Sequence, residues 1–235
     1  MLGLYRPVGD GQFADAAPRS DVGRATRGTL GFGCFFFDVD LDGLQDLLVV
    51  NGHIDETISR VNARVTYAEP PHLFLNGGHG QFRDVAPEAG STFSQPKVGR
   101  GAAFGDFDND GDPDVVITTN GGPAYLYRND APGGSRSIRV KLRGVKSNRD
   151  GIGARVRVFA GADKYWRTVK TGSSYLSQSE LPVTFGLGAH TKADRVIVEW
   201  PSGMKDEVTA LTPGRLYEIT EGKGVTAATN LRALH

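Results

Sequence analysis

The chain has 235 residues, with 27 basic (Lys and Arg) and 27 acidic (Asp and Glu) side chains, so it carries no net formal charge. We therefore expect no nucleic-acid partner, because nothing in the overall charge attracts a polyanion. No stretch reaches the ~18 consecutive apolar residues of a membrane-spanning helix, and we expect no membrane insertion. The 32 glycines, 12 prolines and frequent β-branched residues favour an all-β fold.

The chain opens inside a repeated pattern. Residues 1–27 predict the end of one repeat, in which a Gly-Asp-Gly turn at residues 9–11 separates a Leu-Tyr-Arg segment from Phe13. The N-terminus lacks the basic and then apolar pattern of a signal peptide. We expect the chain to be a piece of a longer protein whose export signal lies upstream.

The first acidic loop follows an aromatic run. Asp38, Asp40 and Asp42 stand at alternate positions, Gly43 follows, and Asp46 closes the loop. The apolar residues 47–50 after it predict a strand. Four carboxylates this close together repel one another in a folded loop unless a cation lies between them.

The second acidic loop repeats this spacing with Asp106, Asp108, Asp110, Gly111 and Asp114. Gly111 can adopt a positive φ angle, which allows the loop to fold back on itself. The β-branched run that follows predicts a strand and not the helix that leaves an EF-hand loop. A single loop of this kind could be a plain hairpin turn, but two copies at one spacing favour metal sites.

Carboxylate and carbonyl oxygens are the ligands that Ca²⁺ accepts in flexible, many-oxygen shells. We therefore predict two Ca²⁺ sites, each formed by four carboxylates and one backbone carbonyl. The predicted ligands are Asp38, Asp40, Asp42, Leu44 and Asp46 in the first site, and Asp106, Asp108, Asp110, Asp112 and Asp114 in the second. The sequence leaves open whether Mg²⁺ can replace Ca²⁺.

Segments outside the loops repeat as well. The pattern Gly-x-Gly-Gln-Phe-x-Asp occurs at residues 9–15 and again at 78–84. Leu-Phe-Leu-Asn at residues 73–76 resembles Leu-Tyr-Arg-Asn at 126–129. A unit of several short strands that repeats along the chain predicts a solenoid or a propeller.

A Pro-, Gly- and Ser-rich stretch at residues 131–136 predicts a boundary between domains at 1–131 and 132–222. Beyond it, seven short alternating segments predict a β-sandwich or barrel: residues 137–143, 154–159, 165–169, 183–185, 195–200, 207–208 and 216–219. The stretch from Arg128 to Arg155 is basic, and we interpret its basic side chains, Arg139 among them, as a solvated face, with a polyanion site as the alternative. For the tail, residues 223–235, the sequence does not distinguish a helix from a disordered segment.

The acidic loops, preceded by Phe-Phe-Asp or Phe-Gly-Asp and followed by Asn-Gly, resemble FG-GAP/VCBS repeats, the blades of integrin-α-like β-propellers. Residues 147–155, 172–179, 185–188 and 198–203 resemble the ASPIC/UnbV domain. The resemblance implies that both loops bind Ca²⁺. It also implies a propeller of about seven blades, of which residues 1–131 hold about two. We thus expect an incomplete propeller. Either its other blades belong to a longer chain, or the repeats fold as an open stack of sheets packed on the C-terminal module.

The loops and the resemblance favour a calcium-binding recognition or adhesion protein outside the cytoplasm, either secreted, periplasmic or on the cell surface. Its ions would be structural and its partner a protein or a glycan. The ASPIC/UnbV resemblance implies no particular reaction.

An enzyme, or an accessory factor in a biosynthetic pathway, is the second interpretation. Its candidate nucleophiles are Ser173, Ser174, Ser177 and Ser179. None stands in the Gly-x-Ser-x-Gly sequence of a nucleophile elbow, and His190 is interpreted as a turn residue. We therefore assign no catalytic residue.

A carbohydrate-binding module is the third interpretation. The aromatic candidates for stacking on a sugar are Tyr165, Trp166, Tyr175 and Trp200. We expect Trp200 to pack in the core and Tyr175 to be exposed. Asn148, Ser174 and Tyr175 are the candidate ligand-binding residues, although Asn148 is first interpreted as part of a tight turn.

Overall fold

The computed structural model describes residues 1–130 and 136–232. These residues form seventeen strands and two short α-helices, so the all-β prediction is confirmed. The predicted domain boundary lies in residues 131–135, outside the described part of the chain.

The N-terminal segment covers one face of the first large sheet. It contains the hairpin strands β1 (Tyr5–Gly9) and β2 (Gln12–Asp15), the short helix α1 (Asp21–Ala25), and 3-10 turns at Ala17–Arg19 and Thr26–Gly28. The Ser20 hydroxyl caps α1 by accepting a hydrogen bond from the Gly23 amide at 3.1 Å. Val22 of α1 is fully buried in a small core with apolar side chains of the sheet.

The first blade is a four-stranded antiparallel meander in the order β3-β4-β5-β6. Its strands are β3 (Gly31–Phe37), β4 (Asp46–Asn51), β5 (His72–Asn76) and β6 (Phe82–Asp84), with helix α2 (Ile58–Val61) between β4 and β5. Every residue of β4 is buried, because this central strand has packed layers on both faces. The first acidic loop, residues 38–46, joins β3 to β4.

The second blade has three antiparallel strands, β7 (Gly99–Gly105), β8 (Asp114–Thr119) and β9 (Tyr125–Tyr127). The second acidic loop, residues 106–114, joins β7 to β8. A register irregularity lies three residues into β3 and at the same place in β7, so the repeat extends to backbone detail. The two blades share one core that includes Phe35, Leu48 and Ile117.

Glycine is required where the two blades approach each other. A Cβ atom on Gly33 would lie 2.8 Å from that of Ala102, which is closer than packed carbon atoms allow. The absence of a side chain at this position therefore lets β3 lie directly against β7.

The C-terminal half is a sandwich of two four-stranded sheets. One sheet has the order β13-β10-β16-β17 and the other β12-β11-β14-β15. The strands are β10 (Ser137–Arg143), β11 (Arg155–Ala160), β12 (Asp163–Thr168), β13 (Val183–Gly186), β14 (Ala193–Glu199), β15 (Lys205–Leu211), β16 (Arg215–Thr220) and β17 (Gly224–Asn230). Strands β10 and β16 are parallel. Both sheets contribute to one core, in which Trp200 is buried as predicted.

The structure has one strand more in this region than the seven predicted. Strand β17 lies in the tail that the sequence left open between helix and disorder, and it pairs antiparallel with β16. Its side chains are nearly all exposed, so no apolar alternation marked it. Backbone pairing along the free edge of β16 holds it in the sheet.

Candidate metal centres

The first loop brings three carboxylates together. Asp38, Asp40 and Asp42 each offer a ligand atom, and these atoms lie within 4.8 Å of one another. Asp38 is buried, whereas Asp40 and Asp42 are exposed. The Oδ1 atom of Asp38 is buried and has no hydrogen-bond partner among the described residues. This loop therefore contains a carboxylate oxygen for which the described part of the chain supplies no donor.

The second loop forms a similar but more buried cluster. Ligand atoms of Asp106, Asp108 and Asp114 lie within 4.8 Å of one another. Asp108 Oδ1 and Asp110 Oδ2 are buried and have no hydrogen-bond partner within the described ranges. Both loops thus have the same kind of unsatisfied oxygen.

Backbone donors fix the first and last carboxylates in the same way in each loop. Asp38 Oδ2 accepts a hydrogen bond from the Gly43 amide at 3.1 Å, and Asp106 Oδ2 accepts one from the Gly111 amide at 3.0 Å. The glycines have φ angles of 95° and 101°, as predicted for Gly111. This conformation turns the amide back toward the first aspartate.

Asp46 and Asp114 close the two loops and tie them to the neighbouring strands. Asp46 accepts hydrogen bonds from the amides of Val39 and Asn76, both at 2.8 Å. Asp114 accepts the equivalent bonds from Phe107 at 2.9 Å and Asn129 at 2.8 Å. These two carboxylates organise the loop backbone.

Asp38, Asp46 and Asp114 hold protons more tightly than ordinary aspartates. Burial raises the pKa of Asp38 to about 7 against the opposing effect of Arg167, and it raises the pKa of Asp46 to about 7. Burial likewise raises the pKa of Asp114 to about 6. A bound cation would reverse these shifts, because it favours the ionised carboxylate.

Not all predicted ligands lie in the two close clusters. Among the described residues, Asp46 lies outside the first cluster and Asp110 outside the second. Leu44 is exposed and Asp112 is buried, at the positions where a carbonyl ligand was predicted. The complete ligand sets stay predictions.

In each loop, the first aspartate is contacted by one arginine of the sandwich. Arg139 Nη1 lies 2.9 Å from Asp106 Oδ2, and the same guanidinium pairs with Glu180. Arg167 Nη2 lies 3.8 Å from Asp38 Oδ2. The interpretation of Arg139 as part of a solvated face is wrong, because its side chain is only 3% exposed.

Backbone and hydroxyl groups of the sandwich also contact the loops. The amides of Gly186 and Gly188 donate to Asp38 Oδ2 and to the Leu41 carbonyl, at 3.1 and 3.0 Å. The Ser137 hydroxyl donates to the Gly111 carbonyl at 2.8 Å. The two acidic loops therefore lie at the contact between the blades and the sandwich.

The candidate ligand-binding residues lie in two separate settings. The Asn148 amide group bonds to the backbone N and O atoms of Ile152, at 2.8 and 2.7 Å, within its own turn. Ser174 Oγ accepts a hydrogen bond from the Cys34 amide of β3 at 2.9 Å. Tyr175 is 44% exposed and packs edge-on against Phe32.

The enzyme candidates have structural partners. His190 Nε2 lies 2.8 Å from Asp163 Oδ2. Ser179 Oγ accepts a hydrogen bond from the Phe104 amide at 3.1 Å and another from the Ser173 hydroxyl at 3.2 Å. These bonds connect turns and docked segments.

Comparison with known proteins gives matches in both halves. Residues 61–117 match the family of FG-GAP-like repeats, and residues 144–226 match the ASPIC and UnbV family. Cartilage acidic protein 1 of Mus musculus is 35% identical over 94 residues, which is 40% of this chain and 14% of that protein. The Homo sapiens protein of the same name matches to the same extent.

The chain thus spans a small part of these relatives. Within the part of the chain that the structure describes, no helix is both long and apolar enough to cross a membrane. The resemblance predicted from the sequence is confirmed: one part of the chain is similar to FG-GAP-like repeats and another to the ASPIC and UnbV family.

Proposed function

We propose that the two acidic loops bind Ca²⁺ as structural ions in an extracytoplasmic recognition protein. One observation supports the metal sites: several buried carboxylate oxygens have no donor among the residues that the structure describes, namely Asp38 Oδ1, Asp108 Oδ1 and Asp110 Oδ2. A buried, unsatisfied oxygen of this kind is costly. Such oxygens occur in both loops, on the first aspartate of one and on the second and third aspartates of the other, which supports the same kind of ligand for both.

The donor set favours Ca²⁺ over other cations. Both clusters consist of carboxylates, without His or Cys, and hard cations prefer such oxygen ligands. Mg²⁺ requires nearly ideal octahedral geometry, whereas Ca²⁺ accepts irregular shells of six to eight oxygens. Loops whose carboxylates are already held by backbone amides suit the more tolerant ion.

A structural role follows from the position of the loops. Each loop contacts an arginine of the sandwich, and Asp46 and Asp114 connect each loop to its blade. When bound, Ca²⁺ supplies positive charge that offsets the repulsion among the carboxylates. Binding to the folded state alone raises stability by RT ln(1 + [L]/Kd).

The recognition role and the location rest on the relatives. FG-GAP-like repeats and the ASPIC/UnbV domain support a protein that is secreted, periplasmic or on the cell surface, with a protein or a glycan as partner. Calcium is plentiful outside cells, so sites there can be weak and still be filled.

Calcium titration of single-loop variants tests the metal sites. Asp40→Asn and Asp108→Asn each alter one cluster, whereas Glu56→Gln removes an exposed carboxylate outside both loops. We expect calorimetry to detect two sites in the native chain and in Glu56→Gln, and one site in each loop variant. Thermal unfolding should rise with Ca²⁺ and much less with Mg²⁺. No calcium response at millimolar concentration would refute the proposal.

A further inference from the structure

A cavity of about 360 Å³ lies between the blades and the sandwich. Its blade side includes Phe36 and Phe104, and its sandwich side includes Trp166, Lys170 and Glu180. The volume falls within the roughly 300–1,000 Å³ of small-molecule sites. Asp38 forms part of the wall, but most of the lining is separate from the acidic loops.

Two large aromatic side chains at this cavity are exposed. Trp166 is 59% exposed and Phe36 is 46% exposed. The guanidinium carbon of Arg155 lies 5.4 Å from the Trp166 ring centroid and restrains the indole. Rigid exposed aromatic surface in a concave site is suited to contact the apolar face of a ligand.

The polar lining of the cavity offers a hydrogen-bond donor to a ligand. Lys170 lines the cavity, is exposed and forms no ion pair in the described ranges. Its ammonium group can donate to a hydroxyl group of a ligand, which accepts such bonds. Glu180 also lines the cavity, where its Oε2 pairs with Arg139 and its Oε1 is buried.

The charge of the lining favours a neutral ligand. Among the described residues that line the cavity, Asp38 and Glu180 are acidic and Arg167 and Lys170 are basic. An anion would meet two carboxylates and a cation would meet two basic groups. A ligand rich in hydroxyl groups, without charge and with an apolar face, fits this lining.

We infer that this cavity binds a neutral saccharide of one or two rings, with one ring face on Trp166 and hydroxyl groups near Glu180 and Lys170. The inference deepens the proposed recognition role, because it rests on that role and gives it a ligand class. It differs from the stacking site predicted at Tyr175, which packs against Phe32 away from this lining.

Neutral disaccharides are the probes for this site. Lactose, maltose, cellobiose and diacetylchitobiose would be titrated into the calcium-loaded chain while fluorescence and heat are recorded. Trp166 is exposed and Trp200 is 4% exposed, so a sugar-dependent fluorescence change reports on Trp166. We expect at least one saturable response, and we expect Trp166→Ala to weaken binding by about tenfold or more.

Two matched variants complete the test. Tyr5→Ala removes another exposed aromatic ring, 67% exposed on β1, and should leave binding unchanged. Tyr175→Ala should also leave it unchanged. The inference is overturned by the absence of any response, by unchanged binding in Trp166→Ala, or by a preference for sulfated or sialylated sugars.

The two proposals can fail separately. Calcium binding without saccharide binding overturns only the cavity site. Saccharide binding that depends on Trp166 in a chain without calcium sites overturns only the metal proposal.

Discussion

The two acidic loops have the same aspartate spacing and most of the same internal hydrogen bonds, but the sandwich contacts them differently. Arg139 lies 2.9 Å from Asp106 and also pairs with Glu180, with all three groups largely buried. Arg167 is 3.8 Å from Asp38. At the first loop, two backbone amides of the sandwich are the close donors.

This difference shows that the repeated sequence determines the backbone fold of the loops, whereas the surrounding residues determine how their negative charge is compensated. The spacing determines the loop fold in both copies, including positive φ angles at Leu41 and Asn109. The compensation of negative charge depends on the sandwich. It is stronger at the second loop, because the arginine there lies closer to the first aspartate, at 2.9 Å against 3.8 Å.

The largest expected effect comes from the arginines. Arg139→Met would leave Asp106 and Glu180 buried without their common partner, and removal of one member of a buried ion pair costs about 3–5 kcal/mol. We expect a loss of this size in the free energy of unfolding without calcium, measured by urea denaturation. Arg167→Met should cost clearly less, since its ion pair with Asp38 is longer and it has no second carboxylate partner like Glu180 among the described residues.

The control for this prediction is Arg149→Met, which removes an arginine 84% exposed beside Asp150. An exposed pair contributes about 0–1 kcal/mol. Equal losses for Arg139→Met and Arg167→Met would contradict the difference between the loops.

The second prediction acts on the first loop through backbone packing. A Cβ atom on Gly186 would lie 2.3 Å from the carbonyl carbon of Leu41. Gly186→Ala must therefore move the loop or the strand, at a cost of about 1–3 kcal/mol. We expect calcium binding to weaken at the first loop and not at the second. Calorimetry of Gly186→Ala combined with Asp108→Asn measures the first loop, and its combination with Asp40→Asn measures the second.

Gly28→Ala is the matched control, because a Cβ atom there has nothing within 4 Å. If Gly186→Ala weakened both loops equally, the sandwich would couple the loops as one unit.

The third prediction concerns pH. Protons compete with the cation, so calcium affinity falls as pH falls through the pKa of the ligands in the metal-free fold. With Asp108→Asn, which leaves the first loop intact, affinity should fall as pH decreases through about 7. With Asp40→Asn, which leaves the second loop intact, it should persist to about pH 6. Titrations across this range measure the difference, and coincident profiles would contradict it.

Much of the fold could be predicted from local pattern. The two loops, the turn at Gly111 and most strands of the sandwich follow from spacing and alternation, which are properties of neighbouring residues. Strand β17 did not follow, because its position depends on the edge of β16 rather than on its own apolar side chains.

The contacts between the halves could not be predicted from alternation. In β10, the alternation of apolar and polar residues predicts that Arg139 lies on the polar side of the strand, exposed to solvent. The first four residues of β10 are all buried, because this part of the strand lies against the second acidic loop. A buried basic side chain opposite an acidic loop is visible only once the two halves are placed together.

The last prediction concerns a reference carboxylate that is fully satisfied within the sandwich. Glu221 accepts hydrogen bonds from the amides of Val145, Lys146 and Ser147 and from the hydroxyls of Ser147 and Ser202. Burial alone would raise the pKa of Glu221, but these hydrogen bonds outweigh it and lower the pKa to about 2.

The pH dependence at Glu221 should therefore have the opposite sign to that of the loops. Its pKa is about 4.3 in the unfolded chain, so its stabilisation is present above that pH and is lost as pH falls toward about 2. In calcium-free buffer, the raised pKa values of Asp38, Asp46 and Asp114 instead cause stability to fall as pH rises from about 4 to about 7. We expect urea midpoints of Glu221→Gln to lie below those of the native chain above about pH 4 and to approach them near pH 2, with the exposed Glu207→Gln as control. A constant offset across this range would mean that the carboxylate acts through its shape and not through its charge.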